Sequence, residues 1–399
     1  DNNYWEKMSG SLNDYATERL SDTVSSTQAV ITHEWLVNWG GSESVLQSLK
    51  KVLPNADIHT LVYQPDERTA LAFSRAQVIP SVLNRLPLAG RLYPYTLPFM
   101  PRLWLRKDIG QPELIVSSSH SFSKTAQAPG AFHLCYCHTP PRYLWDLSDE
   151  YTPGLIGRLT HRIRDRLRLA DLRSARLVDH FVANSRFVAD RIFRTYGRTA
   201  EVIYPPVDTD QFTPAPAKKA HFLAGGRLVR YKRIDYAIRA ANHLKVPLVV
   251  FGDGPDRRRL ESLAGPTVNF TGSVDHPALI ALIRSAWAFL YPGIEDFGIL
   301  PVEVQATGTP VIARGAGGAL ESIKHGKTGL LYDSSPKDPT SQVKLLSETM
   351  LESKSRFWSP TACRHHAELF SRPNFERGFS ELLKRLGFDF LPETREADP

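Results

Sequence analysis

The chain has 399 residues, of which 42% are hydrophobic and 23% charged; at about 100–200 residues per domain this predicts two globular domains and excludes a lone small module or a largely disordered chain. Its 49 basic and 42 acidic residues leave a net charge of +7, which suits a polyphosphate ligand, an anionic membrane surface or nucleic acid without choosing among them. Three cysteines, two of them in Cys135-Tyr-Cys137, support neither a disulfide framework nor a structural metal and fit a reducing compartment. No stretch approaches ~18 uninterrupted apolar residues, so any membrane contact is expected to be peripheral. The expected localisation is cytoplasmic, on the inner face of the plasma membrane where lipid is involved. The first residue is Asp1, which leaves open a targeting segment ahead of it.

In chain order, residues 1–27 read as a polar tail with a loosely attached helix around Tyr15–Leu20. The β-branched run Ala29–His33 predicts a buried strand, followed by a loop ending in Gly40-Gly41 and a helix N-capped by Ser42, with Val45, Leu46, Leu49 and Leu53 on one face. Further strands are expected at Ile58–Val62, Leu114–Ser117, His133–Cys137, His180–Ala183 and Glu201–Ile203. Strands alternating with helices predict a parallel sheet covered on both faces, over residues 28–212. The Pro/Ala/Lys stretch within 213–220 has a linker's composition. The alternation restarts over 221–375, with strands at His221–Ala224, Leu248–Phe251, Val268–Phe270, Ala288–Tyr291, Pro310–Ala313 and Gly329–Tyr332, and 376–399 reads as a terminal helix and tail. The fold class is therefore α/β, with two doubly wound, Rossmann-like domains whose strand ends face a shared cleft.

Strand His221–Ala224 runs into Gly225-Gly226-Arg227-Leu228, with Lys232-Arg233 just beyond. Glycines there permit close backbone approach, and two cations past a strand end suit a diphosphate. A tight turn with solvated charges would read the same way. In Glu295-Asp-Phe-Gly-Ile-Leu-Pro-Val-Glu303, Pro301 fits the first turn of a helix stopping near Gly308. The amides of Phe297, Gly298, Ile299 and Leu300 would then face an anion, with Glu295 and Glu303 on either side of it. Taken singly, Glu303 equally suits the helix dipole and Glu295 a solvated loop.

These pieces, together with Gly252-Asp-Gly-Pro255, Gly317-Gly-Ala-Leu-Glu321 and Gly326-Lys-Thr-Gly329, resemble the retaining glycosyltransferases of family four over about residues 28–385. The resemblance implies the two-Rossmann-domain glycosyltransferase-B fold and transfer of a sugar from a nucleotide diphosphate. By position it implies that Arg227 and Lys232 neutralise the diphosphate, that Glu303 holds the ribose and that Glu295 contacts the donor sugar. In the first domain, His33-Glu-Trp-Leu-Val-Asn-Trp-Gly-Gly41, Ser117-Ser-Ser-His120, Tyr136-Cys-His-Thr-Pro140 and Asn184-Ser185 extend the resemblance. It makes His138 the active-site histidine. Gly40-Gly41 opens a helix, which puts the amide of Gly41 within reach of a donor phosphate and an acceptor hydroxyl across the cleft. Tyr204-Pro-Pro-Val-Asp208 resembles the interdomain hinge. Trp35 and Trp39 suit stacking on acceptor sugars and equally suit anchoring their loop.

Asp208-Thr-Asp210 is the one Asp-x-Asp spacing; it falls at the hinge and reads as structural, so no metal or other cofactor is expected. The basic, aromatic stretch Leu83–Lys107 and the arginine-rich helical pattern Arg158–Arg176 resemble interfacial elements that meet anionic headgroups. The second equally reads as a solvated helix paired through Asp165 and Asp171. No nucleic-acid module accompanies the charge. The leading expectation is a retaining transferase moving a hexose, mannose from GDP-mannose first, to a glycan or lipid-linked oligosaccharide. A UDP-sugar transferase and a noncatalytic sugar-nucleotide-binding subunit are the rivals. Substitution is expected on one face of the sugar, the departing phosphate helping to accept the proton.

Overall fold

A computed structural model describes residues 28–146, 154–216 and 219–389; the polar segment 1–27, with its expected helix, lies outside them. The first domain places β1 (Ala29–Leu36), α1 (Gly41–Val52), β2 (Asp57–Tyr63), α2 (Glu67–Ala72) and β3 (Val78–Pro80) ahead of a run of short turns that ends in α3 (Met100–Arg106). Then come β4 (Leu114–Ser119), β5 (Phe132–Cys137), α4 (Gly154–Ala175), β6 (His180–Ala183), α5 (Arg186–Tyr196) and β7 (Ala200–Val202). Its seven strands pair in parallel in the order β3-β2-β1-β4-β5-β6-β7.

Three features of this domain depart from the sequence pattern. Strand β1 continues through His33 and Glu34 to Leu36, and both polar residues are fully buried. The Glu34 carboxylate is tolerated because it accepts hydrogen bonds from the Ser119 hydroxyl and from the Ser121 and Ser123 amides at 2.8–3.1 Å. Helix α1 begins at Gly41 on an extended Gly40, with no side-chain cap. Ser42 is thus inside the helix, its hydroxyl donating to Glu43 at 3.0 Å. The short edge strand β3 was not anticipated; Pro80 at its end suits an edge, where a missing donor costs no ladder bond.

The second domain holds β8 (His221–Gly225), α6 (Ile234–Leu244), β9 (Leu248–Phe251), α7 (Arg257–Glu261), β10 (Val268–Gly272), α8 (His276–Ser285) and β11 (Ala286–Tyr291). It continues with α9 (Ile299–Ala306), β12 (Val311–Arg314), α10 (Ala319–Ser322), β13 (Gly329–Tyr332), α11 (Pro339–Ser355) and α12 (Pro360–Glu368). Six parallel strands run β10-β9-β8-β11-β12-β13. The chain then crosses back: α13 (Arg372–Arg385) buries Phe375, Phe379, Leu382 and Leu383 in the core of the first domain. The expected division after residue 375 therefore moves, because the helix starts at Arg372 and Phe375 already belongs to the first domain's core. Each such side chain contributes roughly 1.5–3 kcal/mol on full burial, which ties the chain's end to its beginning.

Helix α4 corrects another expectation. Asp165 is exposed and lies 3.8 Å from Arg168, but Asp171 is fully buried and paired with Lys124 at 2.7 Å. The Asp171 carboxylate also accepts from the Trp145 indole and the Tyr196 hydroxyl, both at 2.8 Å. It is the inward anchor of the helix rather than part of a solvated face.

Candidate active site

Each sheet changes winding direction once, at β1/β4 and at β8/β11, and crevices at such points collect ligands at the carboxyl ends of the strands. His33 and Ser118 stand near the ends of β1 and β4, and His138 directly follows β5. Gly226 directly follows β8, and Glu295 lies in the loop after β11. Of these, His138 and Glu295 line one cavity of about 490 Å³, together with Gly41, His120, Arg142, Lys232 and the stretch Phe297–Leu300 among others.

Lys232 donates to Glu295 Oε1 at 2.8 Å, with both side chains only 15% and 20% exposed. Burial works against the ammonium, yet the charge and hydrogen bond of Glu295 raise the Lys232 pKa above the usual lysine value. Beside this pair, α9 begins at Ile299 on an N-cap, Gly298, that supplies no side-chain cap, so its first-turn amides present a positive end to the cavity. Gly298 has φ 93°, and a Cβ there would lie 2.8 Å from the Tyr291 hydroxyl oxygen, so glycine alone suits this turn. Gly41 meets α9 across the cleft; a Cβ on it would sit 2.9 Å from Ile299 Cδ1.

His138 is partly buried, its amide donating to Ser119 and its carbonyl accepting from Asn184 Nδ2 at 2.9 Å. Burial first, then His120 and His33, hold its pKa well below the usual histidine value, so the ring is neutral. The remaining sequence candidates lie around this centre rather than in it. Gly226 abuts the cavity through Leu300 and Lys232. Arg227 is exposed and makes no ion pair among the described residues. Trp35 is packed inside the first domain, 4.5 Å from the Tyr93 ring and 4.8 Å from His120. Trp39 lies against Phe73 under the Arg68 guanidinium, 4.7 Å from the ring centre. Asp208 and Asp210 lie 3.6 Å from Arg372 and Arg364 respectively.

Glu303 is outside the cavity lining. Burial, with Asp208 adding to it, pushes its carboxyl up to about 7, against Arg68 and Arg372. A raised folded-state pKa contributes stability that is fully present below 4.5 and lost as pH rises through about 7. Glu303→Gln is therefore expected to gain thermal stability relative to the parent between those pH values and to hold a constant advantage above them. Unfolding curves of the ligand-free protein across pH check this; a pH-independent difference refutes it.

Residues that sequence reasoning did not assign tie the domains together. Asp296 accepts from Arg191 at 2.5 Å, and its carbonyl accepts from the Ser185 hydroxyl at 2.6 Å. Glu321 accepts from the Arg186 and Phe187 amides at 2.8 and 3.0 Å, docking a carboxylate of the second domain on the first turn of α5. Arg142 stacks over Tyr231 at 5.1 Å. Partners about 90 to 135 positions apart leave no local signal; Ser185, Asp296 and Glu321 had stood out only as members of local motifs.

Two parallel Rossmann-like domains joined in this way around a cleft form the glycosyltransferase-B architecture. Residues 39–211 match the family model described as Glycosyltransferase Family 4, and residues 208–357 match Glycosyl transferases group 1; the chain belongs to these glycosyltransferases. It is 32% identical over 186 residues to a GDP-mannose-dependent alpha-(1-6)-phosphatidylinositol monomannoside mannosyltransferase of Mycobacterium tuberculosis, covering 39% of this chain and 48% of the relative. It is 29% identical over 243 residues to D-inositol 3-phosphate glycosyltransferase 1 of Catenulispora acidiphila, covering 52% and 56%. The chain thus spans about half the length of these curated relatives. Sucrose-phosphate synthase from Thermosynechococcus elongatus shares the fold at TM-score 0.67 and 18% identity, over 90% of this chain and 99% of that one. Anabaena Alr3699/HepE in complex with UDP and glucose does so at 0.63 and 17%, over 89% and 99%.

Proposed function

We propose that the protein is a retaining glycosyltransferase that moves a hexose, mannose from GDP-mannose in the leading reading, to a glycan or lipid-linked oligosaccharide. The observation that carries this is the meeting of Lys232, Glu295 and the uncapped start of α9 opposite His138 in one cavity. A diphosphate placed there gains a cation and amide donors at the oxygens that take up charge as the sugar–phosphate bond breaks. Arg227, which has no competing ion pair among the described residues, completes the clamp from the rim. Glu295 orients the sugar, Glu303 serves the ribose, and the neutral His138 stabilises charge developing near the anomeric carbon. Trp35 and Trp39 stay assigned to the acceptor side, indirectly for Trp35 given its packing.

Support for mannose is the Mycobacterium tuberculosis relative, and support for the UDP-sugar rival is the Anabaena structure with UDP and glucose, whose likeness is one of fold. Among the described residues, the other carboxylate lining the cavity is Asp296, which is engaged by Arg191 at 2.5 Å rather than free as a nucleophile for a double displacement, and this favours same-face substitution. The cations of the clamp make a metal unnecessary in this reading. Incubation with GDP-, UDP- and ADP-sugars in excess chelator is expected to raise the melting temperature most with GDP-mannose, and an α-linked donor is expected to give an α-linked product by proton NMR. Stabilisation by UDP-sugars alone shifts the donor, a β product overturns retention, and donor binding with neither transfer nor hydrolysis supports the noncatalytic rival.

A peripheral membrane role is part of the proposal. The turns between β3 and α3 expose Val82, Leu86, Leu88, Leu92, Tyr95 and Phe99, with Tyr95 80% and Phe99 65% exposed, beside Arg85, Arg91 and Arg102. Such a surface suits insertion at an anionic interface. No helix among the described residues is long and apolar enough to cross a membrane. Co-sedimentation with anionic vesicles, falling with salt over the ~8–10 Å screening range, is expected; equal recovery with neutral vesicles counts against it.

A further inference from the structure

Four polar groups run in line from the first turn of α1 to the cavity. Glu43 Oε1 lies 3.4 Å from His33 Nε2, His33 Nδ1 lies 3.1 Å from the Ser118 hydroxyl, and that hydroxyl lies 2.8 Å from His138 Nε2. His33 and Ser118 are wholly buried and Glu43 is 4% exposed, so water does not compete for these contacts. Among the described residues no group hydrogen-bonds to His138 Nδ1, the remaining ring nitrogen of the cavity-lining histidine.

The direction of each hydrogen bond follows from one end. Burial raises the Glu43 pKa, but the His33 hydrogen bond leads the effects that outweigh it and leave it lowered, and the Ser42 hydroxyl donates to Glu43 Oε2 at 3.0 Å, so the carboxylate is ionised and can only accept. His33 Nε2 must then carry the proton. The 3.4 Å separation is longer than the ~2.7–2.9 Å of a charge-assisted pair and suits a neutral imidazole, whose Nδ1 is a lone pair. The Ser118 hydroxyl donates to that lone pair and keeps only acceptor capacity for His138. His138 Nε2 therefore carries the proton, because the partner of one ring nitrogen decides the state of the other.

We propose that Glu43 and His33 are positioning residues which, through Ser118, hold His138 as the Nε2–H tautomer and present Nδ1 to the cleft as an acceptor for a sugar hydroxyl. The neighbours of the ring do not supply this polarity. Tyr136 and His120 approach it edge-on, with centroids at 5.2 and 6.0 Å, and Asn184 contacts only the backbone carbonyl. The tautomer depends on this geometry alone, whereas its use in binding a sugar rests on the transferase reading.

The test is long-range 15N correlation NMR of the full chain labelled with 15N-histidine, His138 being assigned from the signals lost in His138→Gln. The expected result is a pyrrole-type Nε2 and a pyridine-type Nδ1. Ser118→Ala and His33→Phe should convert this to a mixture of tautomers, and Ser118→Thr, which retains the hydroxyl, should restore it. In transfer assays with GDP-mannose, Ser118→Ala is expected to lower kcat about tenfold, the scale of one neutral hydrogen bond, with KM little changed. A protonated Nδ1 in the parent protein, as a doubly protonated His33 would produce by reversing the chain, overturns the proposal. So does an unchanged tautomer in Ser118→Ala and His33→Phe. If no nucleotide-sugar is turned over by the parent protein while the NMR result holds, the transferase reading fails and the tautomer assignment stands.

Discussion

Lys232→Ala is expected to lower kcat/KM for the nucleotide-sugar by about 100-fold or more, the scale on which loss of one preorganised electrostatic donor is felt. Lys232 is the only cation hydrogen-bonded to Glu295 among the described residues, at 2.8 Å within a mostly shielded pair. Its removal costs the diphosphate a counter-charge and also leaves the Glu295 carboxylate unneutralised beside it. Lys232→Arg keeps the charge but not the compact reach of the ammonium and should recover only part of the rate. Arg227→Ala, by contrast, removes an exposed group and should raise the donor KM more than it lowers kcat. Steady-state kinetics with varied donor separates these outcomes. Near-parental constants for Lys232→Ala would remove the clamp from the mechanism.

Breaking the Lys124–Asp171 pair is expected to produce the largest loss of stability among single polar substitutions. Both side chains are within 1% of complete burial at 2.7 Å; Lys124 also donates to the Ser121 carbonyl at 2.6 Å. Burial opposes the ammonium, but Asp171 raises its pKa above the usual lysine value. Removing one partner strands the other charge in the core, at a cost of about 3–5 kcal/mol. For a domain of this size each kcal/mol shifts the transition by roughly 2–4 °C. Lys124→Met should therefore lower the first domain's melting temperature by about 6–20 °C. Asp171→Leu should do the same and additionally orphan the Trp145 and Tyr196 donors. The double variant should recover much of the Lys124→Met loss, since it leaves no unpaired charge. Differential scanning calorimetry resolves the outcome, and two additive losses in the double variant would show that the pair is not coupled.

The alternation of strands and helices was legible locally. Buried β-branched runs such as Leu248–Phe251 and His180–Ala183 coincide with strands because a parallel strand covered on both faces needs a continuous apolar sequence. The Pro301 and Gly308 signals likewise bracketed α9 closely. Periodicity failed where a polar side chain is buried against a distant partner. The β-branched run put the end of β1 at His33, yet the strand continues through Glu34, whose carboxylate is satisfied by amides more than 80 positions away. Asp171 looked like a surface residue for the same reason, its partner being Lys124.

By itself the sequence determined two doubly wound parallel domains and the glycine, carboxylate and lysine positions at their strand ends, since those depend on apolar runs and turn chemistry within a few residues. Only the tertiary structure decided the rest. It set Gly41 against Ile299, joined Lys232 to Glu295, left Trp35 packed within its domain, returned α13 to the first core and linked Glu43 to His138 through two intervening residues. These are pairings between groups from different strands and different domains. Their energy comes from burial and charge at distances of a few ångströms, which separation along the chain does not encode.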